Sequence, residues 1–350
     1  MPEFSPQSIR YRSIDDVLGS ASGRYFGDGH RQVYHHLRSL EMKACEPGLG
    51  IVAGKAKVAY PAGWSVKIPG TELRPHLSSI DALVLALGLA ECCVACPRGL
   101  DSGQRRRMWV RSVRMRAGSV PVTELSDVPV QARVSHAEPH PLSLCGSTSA
   151  VDCRVGAIKV NCGIEHELGY PRYLAPFTAG AGELLGRLDG RYYGDGYKLT
   201  EREISDLRVD PGGGRVEALV RVAERYGNDG AGIDAAYRPA LSPVDGIVIA
   251  AQLAQVLIYT VDGLHREGTS TLWMRHFSMN VKTPYQPITN PFITSLSIVR
   301  SRLASLGGMT WRTVDLSADM LGISGMFSVT HSLPPASGFA PARSAPGETG

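Results

Sequence analysis

The chain is poor in lysine: 7 of its 37 basic residues are Lys and the other 30 are Arg, a balance that fits coding from a GC-rich genome. Its tightest basic run is only Arg105-Arg106-Arg107 and its net charge only +4. A phosphate-binding stripe needs more than this, so nucleic-acid binding is excluded. Cysteine is scarce and confined: the seven residues are an odd number and none lies beyond Cys162. That is no disulfide framework for a chain of 350 residues, and it points to a reducing compartment. Long apolar runs are missing too. The two most apolar stretches, 80–96 and 244–261, fall short of a membrane span, and each carries an Asp at its start and a Glu or Gln further in. The opening MPEFSPQSIRYR has no apolar core of a secretory signal, so a cytoplasmic protein without membrane contact is expected. No GxSxG elbow, HExxH or Walker loop occurs. What is present is foldable: 43% hydrophobic and 20% charged residues, with length for two domains or one duplicated unit.

Duplication is written in the sequence. RYFGDGH (24–30) returns as RYYGDGY (191–197), RPHLSSID (74–81) as RPALSPVD (238–245), and WVRSVRM (109–115) as WMRHFSM (273–279). A weaker echo pairs VGAIKV (155–160) with SGMFSV (324–329). The offsets, 167, 164, 164 and 169, keep one order and nearly one value, which marks a tandem repeat. The expected division is a first unit over 10–168, a second over 180–333, and a disordered Pro/Ala/Gly/Ser-rich tail over 334–350.

Each unit reads alike. A short helix precedes RYFGDGH, with Ser13 and Asp16 as its capping box and Gly19 as its stop. In the motif, Gly27 and Gly29 bracket Asp28 as a tight turn with positive φ would want. Strands are expected over 51–61 and 215–226. RPxLSxxD then opens a helix, capped by Ser78 or Ser79 and by Ser242, with Pro243 in its first turn. The helices, 81–96 and 245–260, are apolar nearly all round and must be wrapped. Period-two segments follow at 108–118, 128–139 and 151–163, and at 270–282, 292–303 and 309–317, before a closing GMFSVTHSL. A sheet curling round one helix is the hotdog pattern, and two copies make an α+β double hotdog.

RYFGDGH followed by RPHLSSIDALVLALGLAE resembles the avirulence D protein family, over about residues 10–332. Bacterial members of that family make low-molecular-weight acylated lactone elicitors. The family is similar to the A-factor synthesis proteins, double-hotdog enzymes that join a β-ketoacyl thioester to a small hydroxylated phosphate or sugar-like acceptor, giving butenolides and γ-butyrolactones. The resemblance implies an acyltransferase of secondary metabolism. It would take its donor from acyl carrier protein or coenzyme A and its acceptor from polyols or triose phosphates, with no bound cofactor and as a possible homodimer. Rival readings are a hotdog dehydratase or thioesterase, and a non-catalytic module that binds an acyl lactone.

Asp81 and Asp245 are the catalytic candidates. Each begins a buried helix, where the dipole favours a carboxylate that water scarcely reaches. IDALVLA and VDGIVIA are similar to the helix start of hotdog hydroxyacyl thioester dehydratases, where an acid does proton transfer and first-turn amides hold the thioester carbonyl. The alternative is that each Asp merely caps its helix. The His that those dehydratases carry about a dozen residues upstream is missing, so His76 is the nearest histidine candidate, matched by Ala240 in the second unit. Arg74 and Arg238 are expected either to bind an anionic substrate group or to pair with Asp28 or Asp195. His30 and Tyr197, equivalent members of the glycine motifs, are candidates for substrate hydrogen bonds. Cys92, Cys93 and Cys96 read as buried packing rather than a metal site, and Trp109 and Trp273 as core.

Overall fold

A computed structural model describes residues 7–66, 73–139, 146–187, 189–225, 230–269 and 272–334. The tail expected to be disordered lies, after its first residue, outside the described residues. Nine strands precede residue 180: β1 (Ile9–Ser13), β2 (Tyr34–Leu37), β3 (Leu40–Glu46), β4 (Leu49–Ala59), β5 (Trp109–Arg116), β6 (Val128–Pro139), β7 (Ser147–Val155), β8 (Ile158–His166) and β9 (Leu174–Ala179). Six follow: β10 (Thr200–Asp210), β11 (Arg215–Glu224), β12 (Trp273–Val281), β13 (Phe292–Leu306), β14 (Met309–Met320) and β15 (Ile323–Ser332). The segment 151–163, read from its alternation as one strand, is two strands turning at Gly156, whose φ of +55° favours a residue without Cβ.

All fifteen strands form one sheet, ordered β1-β10-β11-β13-β14-β15-β12-β5-β8-β7-β6-β4-β3-β9, with β2 also on β4. Every strand pairing is antiparallel. The halves join where β5 meets β12, with Met115 opposite Phe277 inside the equivalent WVRSVRM and WMRHFSM segments. The first central helix (Ser79–Arg98) packs on β4, β6, β7 and β8, and the second (Pro243–Asp262) on β10, β11, β13 and β14. Two halves of one continuous sheet, each wrapped on its own helix, make the double hotdog.

The helices form where the sequence places them and for local reasons. Ser78 and Ser242 cap the N-termini: each hydroxyl accepts the N–H three residues on, and Asp81 or Asp245 reaches back to the serine N–H. Left-handed Gly99 and Gly263 close the other ends. Between them, 17 residues of the first helix and 15 of the second are buried, and each fully buried Leu, Ile or Val contributes about 1.5–3 kcal/mol. Both helices are long and apolar enough to cross a membrane by composition, yet 83% and 78% of their most apolar windows lie inside the protein.

The boundaries 10–168 and 180–333 miss an exchange. β1, counted with the first unit, pairs with β10 at the far edge of the second half, Tyr11 opposite Leu207. β9, which leads into the second unit, pairs with β3 at the far edge of the first, Glu41 opposite Thr178. Each half therefore completes the other's sheet. Strand pairing between distant segments leaves no trace in local periodicity, which is why the exchange was not foreseen.

Candidate functional site

The repeated motifs build two equivalent places, one at the start of each central helix. In both RYxGDGx turns the carbonyl of the leading Arg accepts two N–H groups, from Gly27 and Gly29 in the first and from Gly194 and Gly196 in the second. Neither Gly27 nor Gly29 has the positive φ expected of them. They are glycine because backbone passes so close: a Cβ on Gly27 would stand 2.2 Å from the Ala21 carbonyl oxygen, and one on Gly29 2.1 Å from that of Trp64. Each turn sends its aromatic residue to a helix start, Tyr25 to Ser78 and Tyr192 to Ser242. Each also sends its Arg to the other half's helix. Arg24 donates to Gln252 at 2.8 Å, and Arg191 pairs with Glu91.

Around Asp81, which is fully buried, stand four groups. His35 Nε2 lies 2.8 Å from Oδ1, the Ser78 N–H donates to Oδ2 at 2.9 Å, the Tyr60 hydroxyl donates to Oδ2, and the Tyr25 hydroxyl reaches Oδ1 at 3.5 Å. Burial alone would raise the Asp81 pKa, but the His35, Tyr60 and Ser78 hydrogen bonds outweigh it and hold the carboxyl below its ordinary range. Burial first, and then the Asp81 charge, push Tyr60 and Tyr25 well up, so both remain donors. Carboxylate oxygen only accepts, so His35 carries its proton on Nε2. In the neutral ring the free lone pair is then on Nδ1, and that buried atom has no hydrogen-bond partner.

The second half repeats this arrangement with two exchanges. The offset of the glycine motif sets Arg202 of β10 where β2 has His35, and Nε and Nη2 of Arg202 approach Asp245 Oδ1 at 2.8 and 2.6 Å. Glu224 ends β11 as Tyr60 follows β4, and Glu224 takes up Arg238 as a buried ion pair. Asp245 also accepts from the Ser242 N–H and hydroxyl. Burial raises its pKa, but Arg202 and Arg238 overcome that, and the carboxyl stays low. Here a permanent cation stands where the first half has a base.

The candidates named from sequence are placed unequally. Arg238 is buried against Glu224 with its guanidinium 3.7 Å over the Tyr192 ring, whereas Arg74 is exposed. The difference follows from Tyr60, which offers Arg74 no charge. Asp28 and Asp195, the expected ion-pair partners, pair instead with Arg31 at 3.2 Å and Lys198 at 2.5 Å. No hydrogen bond joins the His76 ring to Asp81; the ring lies 5.1 Å from Trp273 and 6.0 Å from Trp64. His30 and Tyr197 are fully buried and stack on each other, centroids 6.5 Å apart, where the two glycine turns meet. The first-turn amides expected to polarise a carbonyl are partly used: the N–H groups of Asp81 and Ala82 bond to Ser78. Cys92 and Cys93 are buried within the first helix. Among the described residues no group of three or more His, Cys, Asp or Glu is placed to hold a metal ion.

His35 escapes sequence reasoning because the dehydratase pattern points a dozen residues before the acid, whereas β2 delivers this histidine from 46 residues away. The signal was available: the repeat offset aligns it with Arg202, and alternation along YHHL turns it inward with Leu37. Both residues line a cavity of about 30 Å³, room for one or two waters. Its walls are Val84, Leu85, Leu87, Gly88 and Glu91 of the first central helix, with Leu185, Arg191, Tyr193 to Asp195, Ala231 and Ile233 from the second half and the segment leading into it. Glu91 Oε2 takes Arg191 and the Ile233 N–H, which leaves Oε1 without a hydrogen-bond partner. The cavity thus exists only because two halves meet.

Three structures give a sense of what the chain is similar to. A tesB protein of Mycobacterium avium subspecies paratuberculosis is 13% identical, with 81% of this chain and 93% of that one covered and a TM-score of 0.38. The dehydratase domain of PpsC from Mycobacterium tuberculosis, as an H959F variant, is 14% identical, with 83% and 95% covered and a TM-score of 0.31. A conserved hypothetical protein of the same organism, described as a double hotdog, is 13% identical over 75% and 83%, with a TM-score of 0.37. Among the curated proteins none matches the sequence. The family model described as Pseudomonas avirulence D protein (AvrD) matches residues 9–334, nearly the whole described chain, and the protein belongs to that family.

Proposed function

We propose that the protein transfers a β-ketoacyl group from a thioester, on coenzyme A or acyl carrier protein, to a hydroxyl of a small polyol or triose phosphate, from which an acylated lactone closes. The observation that carries this is the His35–Asp81 pair, with Nε2 committed to the carboxylate and Nδ1 unpartnered beside a cavity that both halves wall. Nδ1 takes the proton of the acceptor hydroxyl as its oxygen attacks the thioester carbonyl. The tetrahedral adduct collapses with loss of the thiolate, and the same nitrogen returns the proton to sulfur. Asp81 holds the tautomer and stabilises the imidazolium while it lasts. The second half supplies no such base, because Arg202 cannot give up its proton near neutral pH.

The same pair would activate water equally well, so thioester hydrolysis is the competing reading, and dependence on the acceptor separates them. Purified protein with 3-oxooctanoyl-coenzyme A and xylulose or dihydroxyacetone phosphate should yield an acylated acceptor by mass spectrometry, and His35→Ala should abolish it. Free 3-oxo acid formed at the same rate with or without acceptor would overturn the transfer reading.

A further inference from the structure

Gly88 sits in the middle of the first central helix, where glycine costs about 1 kcal/mol relative to alanine. A Cβ there would meet only Leu185 Cδ1 at 3.6 Å and Leu37 Cδ1 at 3.7 Å, ordinary contacts, so packing does not demand glycine. Asp81, Val84, Gly88 and Glu91 fall on one helix face, at a rise of about 1.5 Å per residue. Gly88 therefore lies between the His35 end of the cavity and the Glu91 end, nearer the latter. Near it the lining is apolar: Leu37, Val84, Leu85, Leu87, Leu185 and Ile233. In the second helix the 164-residue offset puts Gln252 in its place. That side chain is buried and held by Arg24, so the equivalent groove is plugged.

We infer that Gly88 sets the length of acyl chain that the first-half site accepts, the missing side chain leaving the slot that Gln252 closes in the other half. This rests on the transfer reading for the identity of the ligand. As it stands the slot is only about 30 Å³. A chain of several methylenes enters by displacing Leu185, which comes from a five-residue helix, Ala181–Leu185, bounded by Gly186 at φ +78°. Gly88 and Leu185 face each other across the slot, so they should act in opposite directions.

The test is binding rather than turnover. Saturated acyl-coenzyme A esters from butanoyl to dodecanoyl are titrated calorimetrically into the full-length protein, Gly88→Ala, Gly88→Leu and Leu185→Ala. Each methylene that reaches the slot should tighten binding about fourfold. Gly88→Ala should move the point where this gain stops one or two carbons shorter, and Gly88→Leu should weaken octanoyl and longer esters at least tenfold while leaving butanoyl within twofold. Leu185→Ala should move the stop the other way. Gly88→Ala is the safeguard for folding, since it suits the helix and clashes with nothing. Uniform weakening at all lengths, or no change of the profile in any variant, overturns the inference. A length profile that shifts as stated in a protein that transfers no acyl group would refute the transfer reading and leave the slot standing.

Discussion

Equivalent positions with unlike side chains should fail in unlike ways, and His35 and Arg202 make the comparison. Arg202→Ala strips the cation that hydrogen-bonds Asp245, a fully buried carboxylate that keeps its Ser242 and Tyr192 contacts and the field of Arg238. Breaking a buried ion pair from one side costs about 3–5 kcal/mol, a large part of the roughly 5–15 kcal/mol that a typical protein has in reserve. His35→Ala removes one donor from Asp81, which retains Tyr60 and the Ser78 N–H. That loss is about 1–3 kcal/mol. Urea unfolding at pH 7 reads the stability, and acyl transfer under native conditions reads the activity. Arg202→Ala should be the less stable and still active, His35→Ala the more stable and inactive. The Arg202→Ala deficit should also shrink toward pH 5, since an unpaired buried carboxyl can take a proton and then needs no cation. Equal costs for the two variants, or a folded Arg202→Ala without activity, would refute the assignment of base to one half and scaffold to the other.

Three further outcomes are expected. His30 is pushed down to about 3, by burial and then by Arg202, and His166 to about 4, chiefly by burial. Both folded-state values lie below the ordinary 6.5, so their contribution is whole above pH 6.5 and drains away as pH falls toward 4; with both engaged the slope is about 2.7 kcal/mol per pH unit. Urea midpoints at pH 7, 6, 5 and 4.5 measure it, and His30→Leu should roughly halve the slope. Gly27→Ala forces a Cβ onto the Ala21 carbonyl and should lower stability by about 2–4 kcal/mol. Gly19→Ala, in open space but at φ +75° and ψ −175°, a region nearly reserved for glycine, should cost about 1–3 kcal/mol from backbone strain alone, and calorimetric melting measures both variants. Glu224→Gln leaves Arg238 buried without its anion and should destabilise by about 3 kcal/mol, with transfer unaffected in the protein that remains folded.

Much of the architecture was legible because it is local. The caps at Ser78 and Ser242, the Pro243 start and the alternation of β5 or β12 are properties of short windows, and the repeat offset gave the number of units. The site was half legible. Asp81 and Asp245 declare themselves as acids opening greasy helices, but what faces them is decided by strand pairing. His35 and Arg202 are adjacent to nothing informative in the chain, and only superposing the repeats reveals that one replaced the other. Glu91 stands out as a charge in an apolar run, but its partner Arg191 lies 100 residues on, beyond any window. Arg74 and Arg238 looked alike in RPxLSxxD, and their divergence depends on whether a Tyr or a Glu arrives from a neighbouring strand.

The traded edge strands mean that neither repeat is a portable module. A gene truncated after the first repeat would encode a sheet lacking its outermost member, β9, and carrying an unmatched β1 with no neighbour to receive it. Such a product would have to hand that arm to a twin to cover both edges, as domain-swapped dimers do. The same reasoning makes the connection between repeats dispensable once folding is finished: a nick between β9 and β10 should give two fragments that still elute as one particle.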